Sequence, residues 1–130
     1  MKNDLMYVAY TAMLTAALWI PYIVCQVLTN GPLKAANYID PTPRTVPDWG
    51  KRANRAHINA VESFAPFAAL VIILHLLNKS SDTTVMWAAA FFWLRVAHAV
   101  VYWLGLPLVR TLVFTGSFIC VAGLFWEVVK

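Results

Sequence analysis

The strongest constraint on this chain is an uncharged segment close to its N-terminus. No charged residue occurs from Leu5 to Leu28, and about 20 consecutive apolar residues are enough for a helix to cross a bilayer. The segment is longer than the roughly 7–15 apolar residues of a signal-peptide core, and it has no clear small-residue cleavage site. We therefore predict a retained membrane span that bends at Pro21.

The composition of the whole chain also indicates lipid as its solvent. Of its 130 residues, 61% are hydrophobic and only 12% are charged, whereas soluble domains are about 45–50% apolar and about 25% charged. A chain of this length buries only about two-thirds of its surface, so this composition excludes an ordinary soluble domain. The net charge of +4 comes without a long basic run, which favours lipid headgroups over nucleic acid as partners.

The apolar segments predict an all-α protein, an integral membrane four-helix antiparallel bundle. We predict one domain over residues 1–130, with spans at about 5–28, 49–77, 83–104 and 107–128. Prolines between residues 29 and 48 predict a loop. Ser81 or Asp82 can cap the third helix, and Gly105 followed by Pro107 separates the third helix from the fourth.

The distribution of basic residues predicts the orientation of the bundle. The first loop and the start of the second span contain Lys34, Arg44, Lys51, Arg52 and Arg55. Because cytoplasmic loops carry an excess of lysine and arginine, we expect this loop in the cytoplasm and both termini outside it. The turn between the third and fourth spans then also faces the cytoplasm.

A stripe of polar residues follows one face of the second span. It consists of Arg52, Arg55, Asn59, Glu62 and Pro66, at spacings of 3, 4, 3 and 4 residues. Such spacings place all five on one helical face. An ionisable residue at the bilayer centre costs about 2.5–3.5 kcal/mol, so we expect this stripe to face other helices or a wet cavity.

The third span carries a second stripe, formed by Arg95, His98 and Tyr102. Arg95 lies about 15 Å from the cytoplasmic end of its helix, and Glu62 lies about 20 Å along its own helix. These depths overlap, so the sequence predicts an ion pair between Glu62 and Arg95.

The fourth helix begins with Arg110 and Thr111 in its first turn, where exposed backbone amides favour anions. The residues expected to converge on a cytoplasm-facing cleft are Arg55, Asn59, Glu62, His98, Tyr102 and Arg110. This set is rich in donors and contains one carboxylate. It suits a small peptide-like anion that has both carboxylates and an ammonium group.

These residues resemble the signature of the MAPEG family, the membrane-associated proteins in eicosanoid and glutathione metabolism. Residues 52–67 resemble the second helix of that family, with the pattern Arg-Ala-x-x-Asn-x-x-Glu from Arg55 to Glu62. The segment from Arg95 to Tyr102 resembles the third helix, and Arg110-Thr111 resembles the pair that opens the fourth. The resemblance extends over all four spans in length and order.

The resemblance implies a homotrimer that holds glutathione, as co-substrate, between neighbouring subunits. It assigns glutathione binding to Arg55, Asn59, Glu62, His98, Tyr102 and Thr111, support to Arg52 and Arg95, and stabilisation of the thiolate to Arg110. It implies a glutathione-dependent transferase or peroxidase that acts on lipophilic electrophiles, with no metal site. The short loops are similar to those of prokaryotic members, which implies a bacterial inner membrane.

Two residues depart from the family pattern, and they bear on which activity within the family we expect. Ile58 stands where some eicosanoid-type members have an arginine, and Ser63 stands where leukotriene synthases have a tyrosine. Both argue against a specialised eicosanoid synthase. Two alternatives stay open: a small transporter that uses its intramembrane glutamate, and a non-enzymatic membrane subunit, structural or binding haem through His57 and His98.

Overall fold

The computed structural model of the chain describes residues 4–31 and 47–130. The helices in these ranges are α1 (Asp4–Ala17), α2 (Trp19–Asn30), α3 (Asp48–Leu76), α4 (Asp82–Leu104) and α5 (Pro107–Val129). Taken together, α1 and α2 are long and apolar enough to cross a membrane, and so is each of the other three helices. The all-α class and the four long apolar helices are therefore confirmed. Most of the predicted loop, with Lys34 and Arg44, lies outside the described residues.

The first span contains a break at Leu18, between α1 and α2. The amide of Leu18 still donates to the carbonyl oxygens of Leu14, at 3.1 Å, and Thr15, at 3.3 Å. Pro21 follows in the first turn of α2 and has no N–H to donate to the preceding turn. The structure therefore shows a break in the helix at Leu18, within the turn before Pro21 that lacks this hydrogen bond.

A buried carboxylate ties α1 to the start of α4. Ser81 and Thr84 form a capping box, in which the Ser81 amide donates to Thr84 Oγ1 at 2.8 Å. Asp4 is fully buried, and its Oδ2 accepts from Ser80 Oγ at 2.6 Å and from Thr84 Oγ1 at 3.2 Å. These bonds close the end of the bundle that contains the α3–α4 turn.

The apolar core occupies the same half of the bundle. It is formed by Phe67, Val71, Leu74, Ala88, Phe91, Cys120 and Leu124. At its centre, the rings of Phe67 and Phe91 stack with centroids 4.0 Å apart and an interplanar angle of 10°. Because the core fills this half, the polar residues of α4 that lie beyond Phe91 are left to the opposite half.

In the opposite half, α3 turns a face of small residues into the bundle. Gly50, Ala53, Ala56 and Ala60 are all buried there. Small side chains let helix backbones approach closely in membrane proteins. The polar stripe of the same helix therefore lies away from this contact face.

Gly123 allows α5 to pass close to Trp87 of α4. A Cβ at Gly123 would overlap the indole ring of Trp87, whereas a Cβ at Gly116 would lie 3.2 Å from Cδ1 of Leu94. We expect Gly123→Ala to lower the free energy of unfolding by about 1–3 kcal/mol through overpacking. Gly116→Ala is the matched control, because it gains the same helix propensity and meets only a flexible side chain. Thermal unfolding in detergent checks this, and equal melting temperatures for the two variants would contradict it.

Candidate functional site

A polar cleft of about 270 Å³ opens between α3, α4 and α5. It is lined by Arg55, Asn59, His98, Tyr102, Arg110, Thr111 and Phe114. The short connection between α4 and α5 brings the start of α5 beside the end of α4, so these residues meet at one end of the bundle. Among the described residues, the lining includes two guanidinium groups and no carboxylate, and this charge balance favours an anionic ligand.

Arg110 is held at the cleft by an aromatic ring. Its Cζ lies 4.5 Å from the ring centroid of Tyr102, and Tyr102 is only 8% exposed. A guanidinium over a tyrosine face is attracted by the ring quadrupole. Thr111 Oγ1 donates to the carbonyl of Pro107 at 3.1 Å, and the first-turn amides of α5 add to the preference for an anion.

Arg95 fixes the protonation state of His98. Arg95 is 2% exposed, and its Nη2 lies 3.4 Å from Nδ1 of His98. Because a guanidinium has only donors, Nδ1 accepts and the ring proton lies on Nε2. The ring of His98 lies 5.4 Å from that of Tyr102 and 6.3 Å from that of Phe114. A neutral imidazole with an Nε2 donor therefore lines the cleft.

The predicted ion pair between Glu62 and Arg95 is wrong. Within residues 4–31 and 47–130 no ion pair joins them, and Nε and Nη1 of Arg95 are buried without a hydrogen-bond partner. The physical reason is orientation: Arg95 lies on a buried face of α4, whereas Glu62 is exposed on the chain's own surface.

Glu62 is also absent from the lining of the cleft. It follows Asn59 on the same stripe and is exposed together with Arg55 and Pro66, so this part of the stripe does not face the interior of the single chain. Glu62 lies about 21 Å along α3 from Asp48. A charge facing lipid at such a depth costs about 2.5–3.5 kcal/mol, so this surface needs a cover other than lipid.

Arg52 lies beside the cleft and contacts the end of α4. Its Nε donates to the carbonyl of Trp103 at 3.1 Å, next to Gly105, whose φ of 71° ends the helix. A cation at a helix C-terminus is stabilising, so Arg52 supports the turn that positions α5. His57 is half-buried and is not part of the lining that contains His98.

Sequence reasoning missed Phe114 and the apolar groove that begins there. The groove has a volume of about 260 Å³ and is lined by Ser63, Pro66, Phe91, Phe114, Ser117, Phe118 and Val121. A signal was present, because Arg110, Phe114, Ser117 and Val121 recur at spacings of 4, 3 and 4 residues. Apolar residues in a span do not by themselves distinguish a groove from a lipid-facing surface.

Comparison with protein-family models matches residues 5–130 to the MAPEG family. Comparisons with curated proteins and with solved structures give no match. The matched range includes both polar stripes, the start of α5 and every residue that lines the cleft.

Proposed function

We propose that this chain, which belongs to the MAPEG family and is a multi-pass integral membrane protein, binds glutathione in the polar cleft. The bound thiol is then used in transfer to lipophilic electrophiles or in reduction of lipophilic hydroperoxides. The observation that carries this proposal is the cleft itself, where two guanidinium groups, an amide, a neutral imidazole and two hydroxyls meet, with no carboxylate from residues 4–31 or 47–130.

Glutathione matches the donors of this cleft. It has two carboxylates, which arginine side chains bind well because of their planar fork of donors. Arg55 and His98 both line the cleft, which supports their binding one carboxylate, and Asn59 and Tyr102 add neutral hydrogen-bonding groups to the same lining. Asn59 Nδ2 already donates to the carbonyl of Arg55 at 3.0 Å, which leaves its second N–H and its Oδ1 for the peptide.

Arg110 is the residue that would act on the sulfur. A thiol attacks as its thiolate, and a nearby cation lowers the pKa of that thiol. In transfer, the thiolate sulfur forms a bond to the electrophilic carbon, the leaving group departs with its electron pair, and the thiol proton goes to solvent. Thr111, one residue further in the same turn, also lines the cleft, and its hydroxyl proton is donated to the carbonyl of Pro107.

The exposed carboxylate of Glu62 supports assembly as a homotrimer. In such an assembly a neighbouring copy covers the stripe of Arg55, Glu62 and Pro66, which a single chain leaves exposed. Glutathione then lies between subunits, and Glu62 is available to its ammonium group. The carboxylate of Glu62 thus complements the ammonium group of glutathione, and the positively charged cleft complements its two carboxylates.

The basic residues at the cleft end of α3 support an orientation with the cleft towards the cytoplasm and both termini outside it. Lys51, Arg52 and Arg55 all lie in the first turns of this helix. The cytosol keeps thiols reduced, so this orientation gives the cleft access to reduced glutathione. In this proposal the membrane is the bacterial inner membrane.

Glutathione is expected to stabilise the purified protein against heat. A ligand that binds only the native state adds about 2.7 kcal/mol of stability at a concentration of 100 times its Kd. The melting temperature in detergent should rise with glutathione and, to a smaller extent, with S-methylglutathione, which lacks the ionisable thiol. A melting temperature that does not change with glutathione would contradict the proposal. In that case, proton-coupled uptake of a substrate by proteoliposomes would support the alternative function, a small transporter.

A further inference from the structure

We propose that a second polar pocket, at the end of the bundle opposite to the cleft, binds the phosphate of an anionic membrane phospholipid. The pocket has a volume of about 210 Å³ and is lined by Lys79, Ser81, Glu127 and Lys130. A cavity of about 150 Å³ already holds benzene, so a phosphate group fits into this one. The inference concerns the lipid around the protein and does not depend on the glutathione function.

Lys130 is held at the pocket by a buried carboxylate. Glu127 is 7% exposed, and its Oε2 lies 2.8 Å from Nζ of Lys130. This pairing is required of Glu127, because an unpaired buried charge is costly. An ammonium group has three N–H donors, and the ion pair uses one of them. Lys130 can therefore bind an anion without leaving Glu127.

Lys79 is held at the same pocket by the backbone of α5. Its Nζ donates to the carbonyl of Val128 at 2.6 Å and to that of Lys130 at 3.4 Å. A cation beside the last carbonyls of a helix is stabilised there. Among the described residues these two bonds use two of its three N–H donors, so a third can serve a ligand.

Hydrogen bonds hold the turn that carries Lys79 and Ser81. Ser80, which lies between them, donates to the buried carboxylate of Asp4 at 2.6 Å, and Ser81 Oγ accepts from the amide of Thr84 at 3.3 Å. Because this last bond uses a lone pair of Ser81 Oγ, the hydroxyl proton can be donated to a ligand. The donors of the pocket thus keep their places before a ligand binds, which lowers the cost of binding.

The charge balance of the pocket selects the type of headgroup. The part of its lining that the structure describes has two ammonium groups and one carboxylate, and this carboxylate is paired with Lys130. Basic pockets at the ends of membrane helices bind anionic headgroups. A headgroup whose phosphate is its sole charge meets these donors, whereas the trimethylammonium group of phosphatidylcholine is repelled by the two lysines.

The surroundings of the pocket favour a lipid over a free phosphate ion. Leu76 and Leu77, just before Lys79, are 74% and 52% exposed, and Trp126 is 62% exposed. Trp126 lies one turn, about 6 Å, before Lys130, and tryptophans are enriched at the headgroup level of a bilayer. The pocket therefore opens at the depth of lipid phosphates, beside apolar side chains against which acyl chains can pack.

The test measures the binding of single phospholipid molecules to the purified protein. Native mass spectrometry in detergent, with dihexanoylphosphatidylglycerol as the probe, gives the Kd of the first lipid bound. Lys130→Gln should raise this Kd about fivefold, because one lysine near an anionic lipid contributes about 1 kcal/mol. Lys51→Gln is the matched control, since Lys51 is exposed at the cleft end and does not line this pocket. Its Kd should stay within about twofold of the parental value.

Glu127→Gln gives a change of opposite sign and keeps the test decisive if Lys130→Gln does not fold. Removing this carboxylate leaves Lys130 to the phosphate and removes a repulsive charge, so the Kd for dihexanoylphosphatidylglycerol should fall about fivefold. A pocket that serves only the stability of the bundle would show no gain in lipid affinity. Equal Kd values for the parent, Lys130→Gln and Glu127→Gln would overturn the proposal.

The choice of ligand tests the source of the phosphate. Dihexanoylphosphatidylcholine should bind at least about fivefold more weakly than dihexanoylphosphatidylglycerol, and inorganic phosphate at the same concentration should leave the melting temperature unchanged. Equal affinity for the two lipids would overturn the selection by charge. Stabilisation by inorganic phosphate equal to that by dihexanoylphosphatidylglycerol would overturn the assignment to a lipid.

Discussion

Arg110→Ala is expected to lower kcat/KM for glutathione conjugation about 10²–10³-fold, which is the usual cost of removing one group that stabilises developing or full negative charge in a site. The guanidinium lies over the ring of Tyr102 at 4.5 Å and contributes the strongest charge at the N-terminal end of α5. Without it, the thiolate of glutathione loses its counter-charge and a smaller fraction of bound peptide is reactive. Steady-state conjugation rates at saturating electrophile measure the effect.

Two further variants separate this effect from a general loss of positive charge. Lys51→Ala removes a cation from the same end of the bundle, but Lys51 is exposed and does not line the cleft. Because exposed charges interact weakly, kcat/KM of this variant should stay within about twofold of the parental value. Arg110→Lys keeps the charge without the planar fork and should fall between the parent and Arg110→Ala. If Arg110→Ala conjugates glutathione at the parental rate, the proposed role of Arg110 in stabilising the thiolate is contradicted.

Glu62→Gln is expected to raise the Kd for glutathione about 30-fold or more, because removing one partner of a buried charge pair costs about 2 kcal/mol or more. In the proposed trimer a neighbouring copy covers Glu62. The carboxylate of Glu62 then binds the ammonium group of glutathione. Calorimetric titration measures the change. A glutathione analogue without the amino group is the control ligand, since it should bind the parent and Glu62→Gln with similar affinity.

The opposite outcome for Glu62 has a distinct signature. If this carboxylate simply faced lipid, removing its charge would relieve about 2.5–3.5 kcal/mol of transfer cost and would leave glutathione binding unchanged. The variant would then melt at a higher temperature than the parent without ligand. That pair of results would contradict both the role of Glu62 and the cover by a neighbouring copy.

The fold could be predicted from the sequence because each of its elements has a strong local signal. Four long apolar segments define the helices, the Ser81 cap starts α4, and Gly105 with Pro107 separates α4 from α5. Most of the cleft could be predicted for a related reason. Polar residues at spacings of 3 and 4 must share a face, and in a membrane protein such a face is rare enough to be informative.

The parts that could not be predicted depend on which face of each helix turns inward. Helical spacing places Arg95 and Glu62 at similar depths, but only the packing of Ala53, Ala56 and Ala60 into the bundle decides that Glu62 points out. Similarly, Phe114 lies on the stripe of Arg110, yet an apolar residue gains by facing either lipid or protein. Pairing across helices therefore needs tertiary structure, whereas the stripes themselves do not.

The most direct test of the central claim is the ultraviolet absorbance of the thiolate when glutathione is added to the purified protein near neutral pH. Free glutathione is largely protonated there, since an unperturbed thiol has a pKa of about 8.5. We expect a thiolate band that saturates with glutathione in the parent, is absent with S-methylglutathione and is lost in Arg110→Ala. A parent protein that binds glutathione without any saturable thiolate band would contradict the claim that this cleft activates the thiol.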